Sequence, residues 1–136
     1  MAILTRVTKQ IISVPGLTDA TRKAGLPIST AVKAGGFIFT SAMLPINRAT
    51  GELLTADIAT QTEACLENLM ATLEAAGSSL DKVVKVTLFA ANSAHYATIN
   101  RVYARYFQAD HPARTFVTVA SWPAELDVAI ECTAMA

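Results

Sequence analysis

Apolar residues recur at two different periods along the chain, and the change of period predicts where its helices lie. Over residues 57–76 they recur every three or four positions, which is the spacing of one face of an α-helix. Asp57 suits the N-cap and Gly77 suits the C′ position, so both ends of this helix are marked. The same spacing of apolar and aromatic residues predicts a second helix over residues 93–108, with Ser93 as its cap and with Tyr96 and Tyr103 on its inner side.

Strand-like segments surround the two helices. Ala34-Gly35-Gly36 separates two apolar-rich segments and predicts a β-hairpin, because both glycines can adopt positive φ angles. A run of β-branched residues after the first helix predicts a buried strand. The predicted strands cover residues 29–33, 37–44, 82–90, 114–121 and 127–135. The residues before the hairpin are read as irregular, and residues 47–53 as a turn.

The order of these elements defines the expected architecture. A hairpin, a helix, a strand, a second helix and two strands predict an α+β domain with two helices over one face of a sheet. The hydrophobic share of 52% is enough to form a core. No repeat, low-complexity tract or linker interrupts the sequence, so residues 1–136 are expected to form a single domain.

Alternation along the last two predicted strands sorts their polar residues by face. In the last strand, Cys132 falls on the apolar side expected to lie under the helices, as a small buried residue, and Glu131 falls on the other side. In the preceding strand, Thr115, Val117 and Val119 alternate with Arg114, Phe116 and Thr118. If the valines face the helices, Arg114 and Glu131 both project from the helix-free face of the sheet. There they could form a simple ion pair.

Composition narrows the classes of partner. Eleven basic residues balance eleven acidic residues, so we expect no nucleic-acid partner and no membrane partner. Charged residues make up only 16% of the chain, and a net charge near zero favours self-association, so we expect a homo-oligomer. The sequence contains neither a secretory leader pattern nor a run of roughly 18 apolar residues. A cytoplasmic protein is therefore expected.

The residues that usually hold metals are few and scattered. Cys65 and Cys132 are too far apart in sequence for a C-x-x-C pair, and His95 and His111 are the two histidines. Neither a disulfide framework nor a metal site is therefore expected.

Taken singly, Arg114 has the properties of a surface charge at the start of a strand.

Five segments, in order, resemble the RidA/YjgF-like family of reactive-intermediate deaminases. The segment "PISTAVKAGGFIFTSAMLPINRATGEL" is similar to the family's hairpin and turn, and "ADIATQTEACLENLMATLEAAGSSLDKVVKVTLF" to its first helix and central strand. The segment "YATINRVYARYF" resembles its second helix, "PARTFVTVASWP" its proline-alanine-arginine signature, and "AIECTAMA" its last strand. The resemblance implies a chorismate-mutase-like fold and a homotrimer with sites in the clefts between subunits.

The resemblance also implies an activity and a set of site residues. Deaminases of this family hydrolyse enamine and imine acids, such as 2-aminoacrylate, to 2-oxo acids and ammonia without a metal or an organic cofactor. Arg114 would bind the substrate carboxylate through two parallel hydrogen bonds, and Glu131 would position the attacking water or accept its proton. Ser41 would orient the substrate. Asn100 and the main chain of Thr115 would act as contacts or supports.

Four positions depart from the family pattern and predict an altered substrate. Ile28 stands where many members have tyrosine, and Ser41-Ala42-Met43 replaces the usual serine-glycine-glutamine. Phe116 occupies a position where small or sulfur-bearing residues are frequent. The expected pocket is therefore more apolar. The added methyl group of Ala42 also lies where the backbone approaches the ligand.

Three alternatives to deamination of 2-aminoacrylate remain open on the sequence. The first is a pathway-specific deaminase or hydrolase that acts on a larger enamine acid, such as an aminomuconate-like intermediate. The second is a non-catalytic trimer that binds a small carboxylate. The third is an endoribonuclease, an activity described for some relatives. The neutral charge and the lack of a basic stripe argue against this third alternative.

Overall fold

The computed structural model describes residues 8–136. Within this range the elements are, in order, β1 (Gln10–Ile12), α1 (Leu17–Lys23), β2 (Ala31–Ala34), β3 (Phe37–Thr40), α2 (Ile58–Ala75), β4 (Val83–Ala90), α3 (Tyr96–Tyr106), β5 (Ala113–Thr118) and β6 (Val128–Met135). The predicted hairpin, both predicted helices and the three later strands are confirmed. Their ends differ from the predicted ends by at most four residues.

One mixed sheet contains these strands in the order β1-β2-β3-β6-β4-β5. Neighbours run antiparallel except β4 and β5, which run parallel. A parallel pair needs a crossover connection, and α3 with its flanking loops provides it. Gly35 and Gly36 form the hairpin turn between β2 and β3, with φ angles of 58° and 81°. At the far edge of the sheet lies β5, so Arg114 has a strand neighbour on one side only.

The hydrophobic core lies between the sheet and the helices α2 and α3. Leu66, Leu69 and Ile99 of the helices are fully buried against alternate residues of β4 and β6. The inward-facing residues of β6 are Val128, Ile130, Cys132 and Ala134, and all of them are buried. The predicted α+β arrangement and the buried position of Cys132 are therefore confirmed.

The ends of α2 lie where the sequence predicts them. The Asp57 carboxylate accepts a hydrogen bond from the Thr60 backbone N–H at 2.8 Å, and hydrogen bonds from Thr60 lower the pKa of Asp57. Gly77 follows the helix with a φ angle of 80°, a conformation that glycine adopts at the C′ position without steric strain. Both predicted boundary residues therefore have the expected roles.

The start of the second predicted helix differs from the expectation. A short 3₁₀ turn, Ser93–His95, precedes α3, which begins at Tyr96. The capping residue is Asn92, whose side-chain oxygen accepts a hydrogen bond from the Ala94 backbone N–H at 2.8 Å. The prediction of Ser93 as the cap was wrong by one residue. Asparagine and serine are about equally good caps, so sequence alone does not separate them.

The segment before the hairpin contains two elements that the sequence reading missed. Strand β1 pairs with β2, with Ile11 opposite Val32, and α1 begins after Gly16, whose φ angle is 84°. The prediction of an irregular segment is therefore wrong for these elements. Three residues of strand and seven of helix are too short to show a period in the sequence. Leu17 is the one buried residue of α1.

The opposite face of the sheet is also apolar. In the part of the chain that the structure describes, α2 and α3 pack on one face only, and large side chains on the other face remain exposed. These are Ile11, Phe37, Phe39, Val117 and Met135. Contiguous apolar patches of this kind mark interaction surfaces. None of the helices within residues 8–136 is long and apolar enough to cross a membrane.

Candidate active site

Arg114 projects from the edge strand β5 toward helix α3. Its guanidinium carbon lies 4.9 Å from the centre of the Tyr103 ring and 5.9 Å from the centre of the Tyr96 ring. At these distances a cation is attracted to an aromatic face. Pro112 lies just before the strand, and its ring fixes its own φ angle, which restricts the backbone conformation that leads into β5. A permanent charge is therefore accommodated at the start of an apolar strand because two aromatic rings of α3 cover it.

The predicted face of Arg114 was wrong. Arg114 and Phe116 do share a face, but it is the helix side of the sheet. Thr115 and Val117 lie on the helix-free side, where the Lys85 ammonium group donates a hydrogen bond to Thr115 Oγ1 at 2.6 Å. The valines were expected under the helices because they are more apolar than their neighbours. Both faces of this sheet are apolar, so hydrophobic alternation cannot orient an edge strand here.

A cavity of about 300 Å³ adjoins the Arg114 side chain. Its lining residues are Asn100, Tyr103, Ala104, Phe107, His111, Pro112 and Arg114, and none of them carries a carboxylate. Within residues 8–136, Asn100 Oδ1 and Tyr103 Oη are the two buried side-chain polar atoms without a hydrogen-bond partner. Such atoms are rare, because each one costs about 1–3 kcal/mol. Both belong to the lining of one cavity, which indicates a ligand site.

Tyr103 is a member of this cavity that the sequence reading did not select. Burial raises the pKa of Tyr103 to about 12, although the Arg114 charge acts in the opposite direction. The hydroxyl is therefore protonated at neutral pH and can donate a hydrogen bond. The signal that could have found it is spacing. Asn100 and Tyr103 are three residues apart on α3, so they lie on one helix face.

Phe116 contacts the site indirectly. It is absent from the lining of the Arg114 cavity, although the sequence predicted it as a substrate contact. Its ring packs edge-to-face against the Tyr96 ring, with ring centres 4.9 Å apart and planes at 90°, and it also packs against the core. Phe116 therefore contacts Tyr96 and the core, and not the Arg114 cavity.

Glu131 lies in the middle of β6, opposite Thr87 of β4. Its side chain is partly buried on the helix-free face, as predicted. A second cavity, of about 170 Å³, adjoins it and is lined by Phe39, Thr40, Lys85, Thr87, Glu131, Cys132 and Thr133. A carboxylate on an apolar sheet face needs water or a polar partner. The cavity gives Glu131 room for such a water.

Strand β3 continues past its regular end with an irregularity. Phe39 lies opposite Thr133, and Met43 lies opposite Ile130, where each backbone N–H donates to the other residue's carbonyl. The segment from Phe39 to Met43 advances by four residues, whereas the paired segment of β6 from Thr133 to Ile130 advances by only three. The extra residue falls within residues 40–42. It makes a β-bulge, a feature that often occurs next to active sites.

The bulge brings Ser41 and Ala42 beside the segment of β6 that carries Glu131. The Ser41 hydroxyl donates a hydrogen bond to the Ser29 carbonyl at 2.6 Å, so its oxygen lone pairs remain available as acceptors. Ile28 precedes Ser29 in the chain, and its side chain is 51% exposed. Three of the sequence-predicted residues, Ser41, Ala42 and Glu131, therefore lie together, with Ile28 close by.

Most of the predicted site residues, together with Tyr103, thus form two clusters. We call Asn100, Tyr103 and Arg114 the Arg114 cluster, and Ile28, Ser41, Ala42 and Glu131 the Glu131 cluster. The two clusters lie on opposite faces of the sheet. Strand β4 separates β5 from β6, so two strand spacings, about 10 Å, lie between their backbones. A small acid bound to Arg114 cannot reach Glu131 of the same chain.

The two cysteines are poor nucleophiles. Burial raises the pKa of Cys132 to about 12, against a smaller effect of the hydrogen bond with Thr40. Burial also raises the pKa of Cys65. Both thiols are therefore protonated at neutral pH, whereas the thiolate is the reactive form. The described residues contain no group of three or more His, Cys, Asp or Glu side chains that could hold a metal ion.

Comparison with known proteins gives the family. Residues 19–136 match the endoribonuclease L-PSP family. The chain belongs to this family. It is the RidA/YjgF-like family that the sequence resembles, and the RidA/YjgF-like fold is shown by solved structures of high similarity. One of them, Escherichia coli TdcF with bound serine, is 34% identical with a TM-score of 0.81, over 93% of this chain and 98% of that one.

Two relatives show the range of names within the RidA/YjgF-like family. A RutC family protein from Pyrococcus horikoshii is 44% identical over 108 residues, which cover 79% of this chain and 86% of the relative. Reactive Intermediate Deaminase A, chloroplastic, from Arabidopsis thaliana is 36% identical over 128 residues, which cover 94% of this chain and 66% of the relative.

Proposed function

We propose that this protein hydrolyses small enamine or imine acids to 2-oxo acids and ammonia. The observation that carries the proposal is the Arg114 cavity, in which a guanidinium without a lining carboxylate lies beside two unpaired polar atoms. A guanidinium binds a carboxylate through two parallel hydrogen bonds, which fixes the orientation of the acid. The reactive intermediate deaminase from Arabidopsis and the serine-bound TdcF structure support an amino-acid-like ligand.

The site is completed by a second subunit of a homotrimer in this proposal. The Arg114 cluster and the Glu131 cluster are too far apart to act on one molecule within a chain. The helix-free face beside Glu131 exposes Phe39 at 48% and Val117 at 37%, and this apolar surface favours burial against another subunit. In this proposal the helix-free face of one subunit packs against the β5 edge of its neighbour, which brings the Glu131 cluster of the first to the Arg114 cluster of the second.

The chemistry then needs one proton and one water molecule. Protonation of the enamine β-carbon gives the protonated imine, and water adds to the imine carbon. The carbon–nitrogen bond of the resulting carbinolamine then breaks as its hydroxyl proton passes to solvent, which releases ammonia and leaves the 2-oxo acid. Glu131 holds the water, accepts its proton during the attack and returns that proton to the leaving nitrogen. Asn100 Oδ1 accepts a hydrogen bond from the substrate amino group. Ser41 orients the carbinolamine oxygen.

The substrate in this proposal is larger or more apolar than 2-aminoacrylate. Ile28 contributes an exposed aliphatic side chain to the Glu131 cluster, and Ala42 adds a methyl group at the bulge. A cavity of about 300 Å³ beside Arg114 also leaves room beyond a three-carbon acid. Enamine acids with four or more carbons, including aminomuconate-like molecules, therefore belong in the test.

The decisive experiment compares Arg114→Ala and Arg114→Lys with the wild type. Enamines are generated in place by a pyridoxal-phosphate lyase, and release of the 2-oxo acid is followed. Loss of charge-assisted hydrogen bonds worth about 1.5–3 kcal/mol lowers kcat/KM about 10- to 150-fold for Arg114→Ala. Lysine keeps the charge but not the bidentate geometry, so its variant should recover little. The matched control is Arg105→Ala, on an exposed position of α3.

Each contrary result supports a different alternative. A folded, trimeric Arg114→Ala protein with full activity would exclude the carboxylate-binding role. Wild-type protein that binds 2-oxo acids but accelerates no enamine would be a non-catalytic carboxylate-binding trimer. Cleavage of single-stranded RNA by the wild type, unaffected by Arg114→Ala, would favour a nuclease.

A further inference from the structure

We infer that Tyr96 is a positioning residue for Arg114, and that Tyr96 and Tyr103 bracket the guanidinium between them before any substrate arrives. This inference rests on the proposed function in one respect only, namely that Arg114 is the group that binds the carboxylate. It adds a residue that the sequence reading did not select. It also gives Phe116 a role that differs from substrate contact.

The geometry of α3 supports a guanidinium between two rings. Tyr96 and Tyr103 are seven residues apart, so they lie on the same helix face with a rise of roughly 10.5 Å between them. The guanidinium carbon is 5.9 Å from one ring centre and 4.9 Å from the other. Both distances lie within the range of a cation–π contact, so the guanidinium contacts two rings that are about two helical turns apart.

Tyr96 needs a support, because it is 47% exposed at the first turn of α3. Phe116 provides this support through its edge-to-face contact with the Tyr96 ring. Arg114 and Phe116 are two residues apart on β5, so their side chains leave the strand on the same face. One strand therefore carries both the cation and the residue that holds its aromatic cover in place. Phe116 is partly buried and packs against the core, which anchors the arrangement.

The bracket has a consequence for recognition. A guanidinium is planar, and its N–H groups lie in that plane. In the proposed bracket the two rings cover its faces, and the N–H edge is left to face the cavity lined by Asn100 and His111. An arginine side chain that is already ordered loses less conformational freedom when the carboxylate binds. Tyr96 is therefore expected to affect binding of the acid more than the chemical step.

The test uses Tyr96→Leu, which removes the ring but keeps an apolar side chain, and Tyr96→Phe, which keeps the ring. Tyr106→Leu is the matched control, because Tyr106 is a partly buried tyrosine of the same helix. For Tyr96→Leu we expect a KM for the enamine and a Kd for 2-oxobutyrate that rise about 5- to 30-fold, with kcat within about twofold. Tyr96→Phe should restore most of the binding.

A second readout does not depend on catalysis. In protein labelled with ¹⁵N-arginine, ring currents of two tyrosines should shift the Arg114 Nε–H resonance away from those of the exposed arginines. That shift should shrink in Tyr96→Leu and persist in Tyr96→Phe. If Tyr96→Leu changes neither the resonance nor the Kd for 2-oxobutyrate, the bracket is wrong. If both change as expected while the wild type hydrolyses no enamine, the bracket is correct and the proposed deamination fails.

Discussion

Two inactive variants of this protein are expected to restore each other's activity when they assemble together. Under the proposed function, Arg114→Ala removes the carboxylate-binding group, and Glu131→Gln removes the base while keeping the shape of the side chain. Each variant alone lacks one half of every site. In a mixed trimer, a site is intact wherever a subunit that keeps Arg114 meets a neighbour that keeps Glu131. Activity then appears although neither chain can act alone.

The expected magnitude follows from the positions of the two clusters. They lie on opposite faces of the sheet with β4 between their strands, so under the proposed function each site takes Arg114 from one subunit and Glu131 from another. In a ring of three subunits mixed at random in equal amounts, about a quarter of such sites carry both wild-type residues. A site within one chain would instead give no intact sites in any mixture.

The assay mixes the two variants in denaturant, refolds them and isolates hybrids through a different affinity tag on each variant. Light scattering reports the oligomeric state, and release of the 2-oxo acid reports the rate. The same variants mixed without unfolding serve as the control, since subunits that do not exchange cannot form hybrid sites. Purified hybrid trimers with no more activity than the sum of the two variants would refute the intersubunit site.

Two further predictions concern stability. Gly35 has a φ angle of 58° and open space around it, so Gly35→Ala should lower the free energy of unfolding by about 1 kcal/mol. Gly16→Ala should lower it by about 3 kcal/mol or more, because the added Cβ would collide with the Arg48 carbonyl. Urea unfolding measures both values. Burial raises the pKa values of Cys65 and Cys132 from their usual 9.0, so above pH 9 the unfolded chain loses thiol protons that the folded chain retains. The free energy of unfolding should therefore fall as pH rises from about 9 to 12, by about 1.4 kcal/mol per pH unit for each thiol. Cys132→Ala should reduce the slope of this free energy against pH. An unchanged slope would contradict this reasoning.

The sequence predicts the long elements well because each of them contains several repeats of its hydrophobic pattern. The apolar stripe of α2 and its capping residues identify that helix, and Gly35 with Gly36 identifies the hairpin. Cys132 is correctly predicted as buried, since β6 is covered on one face by α2. The short elements β1 and α1 were missed, because they are attached through single buried residues and not through a repeated pattern.

The site shows a different limit of sequence reasoning. Arg114 and Glu131 are both candidate site residues on the sequence, yet the prediction that they share the helix-free face is wrong. Alternation gives relative faces within a strand but not which face meets the helices. Tyr96 and Tyr103 were read as part of the inner side of α3, because an aromatic residue at helical spacing is normally core. Only the three-dimensional contact with Arg114 distinguishes a ring that covers a cation from one that fills space.

The bulge between β3 and β6 has a consequence for how this protein could change over evolution. Phe39 and Met43 are fixed opposite Thr133 and Ile130, and a single-residue deletion at Ala42 would let both pairs form across a regular ladder. Such a chain would keep its core and gain continuous pairing. It would lose the extra residue that presents the Ser41 segment beside Glu131. Under the proposed function, a folded descendant without the activity therefore lies one deletion away.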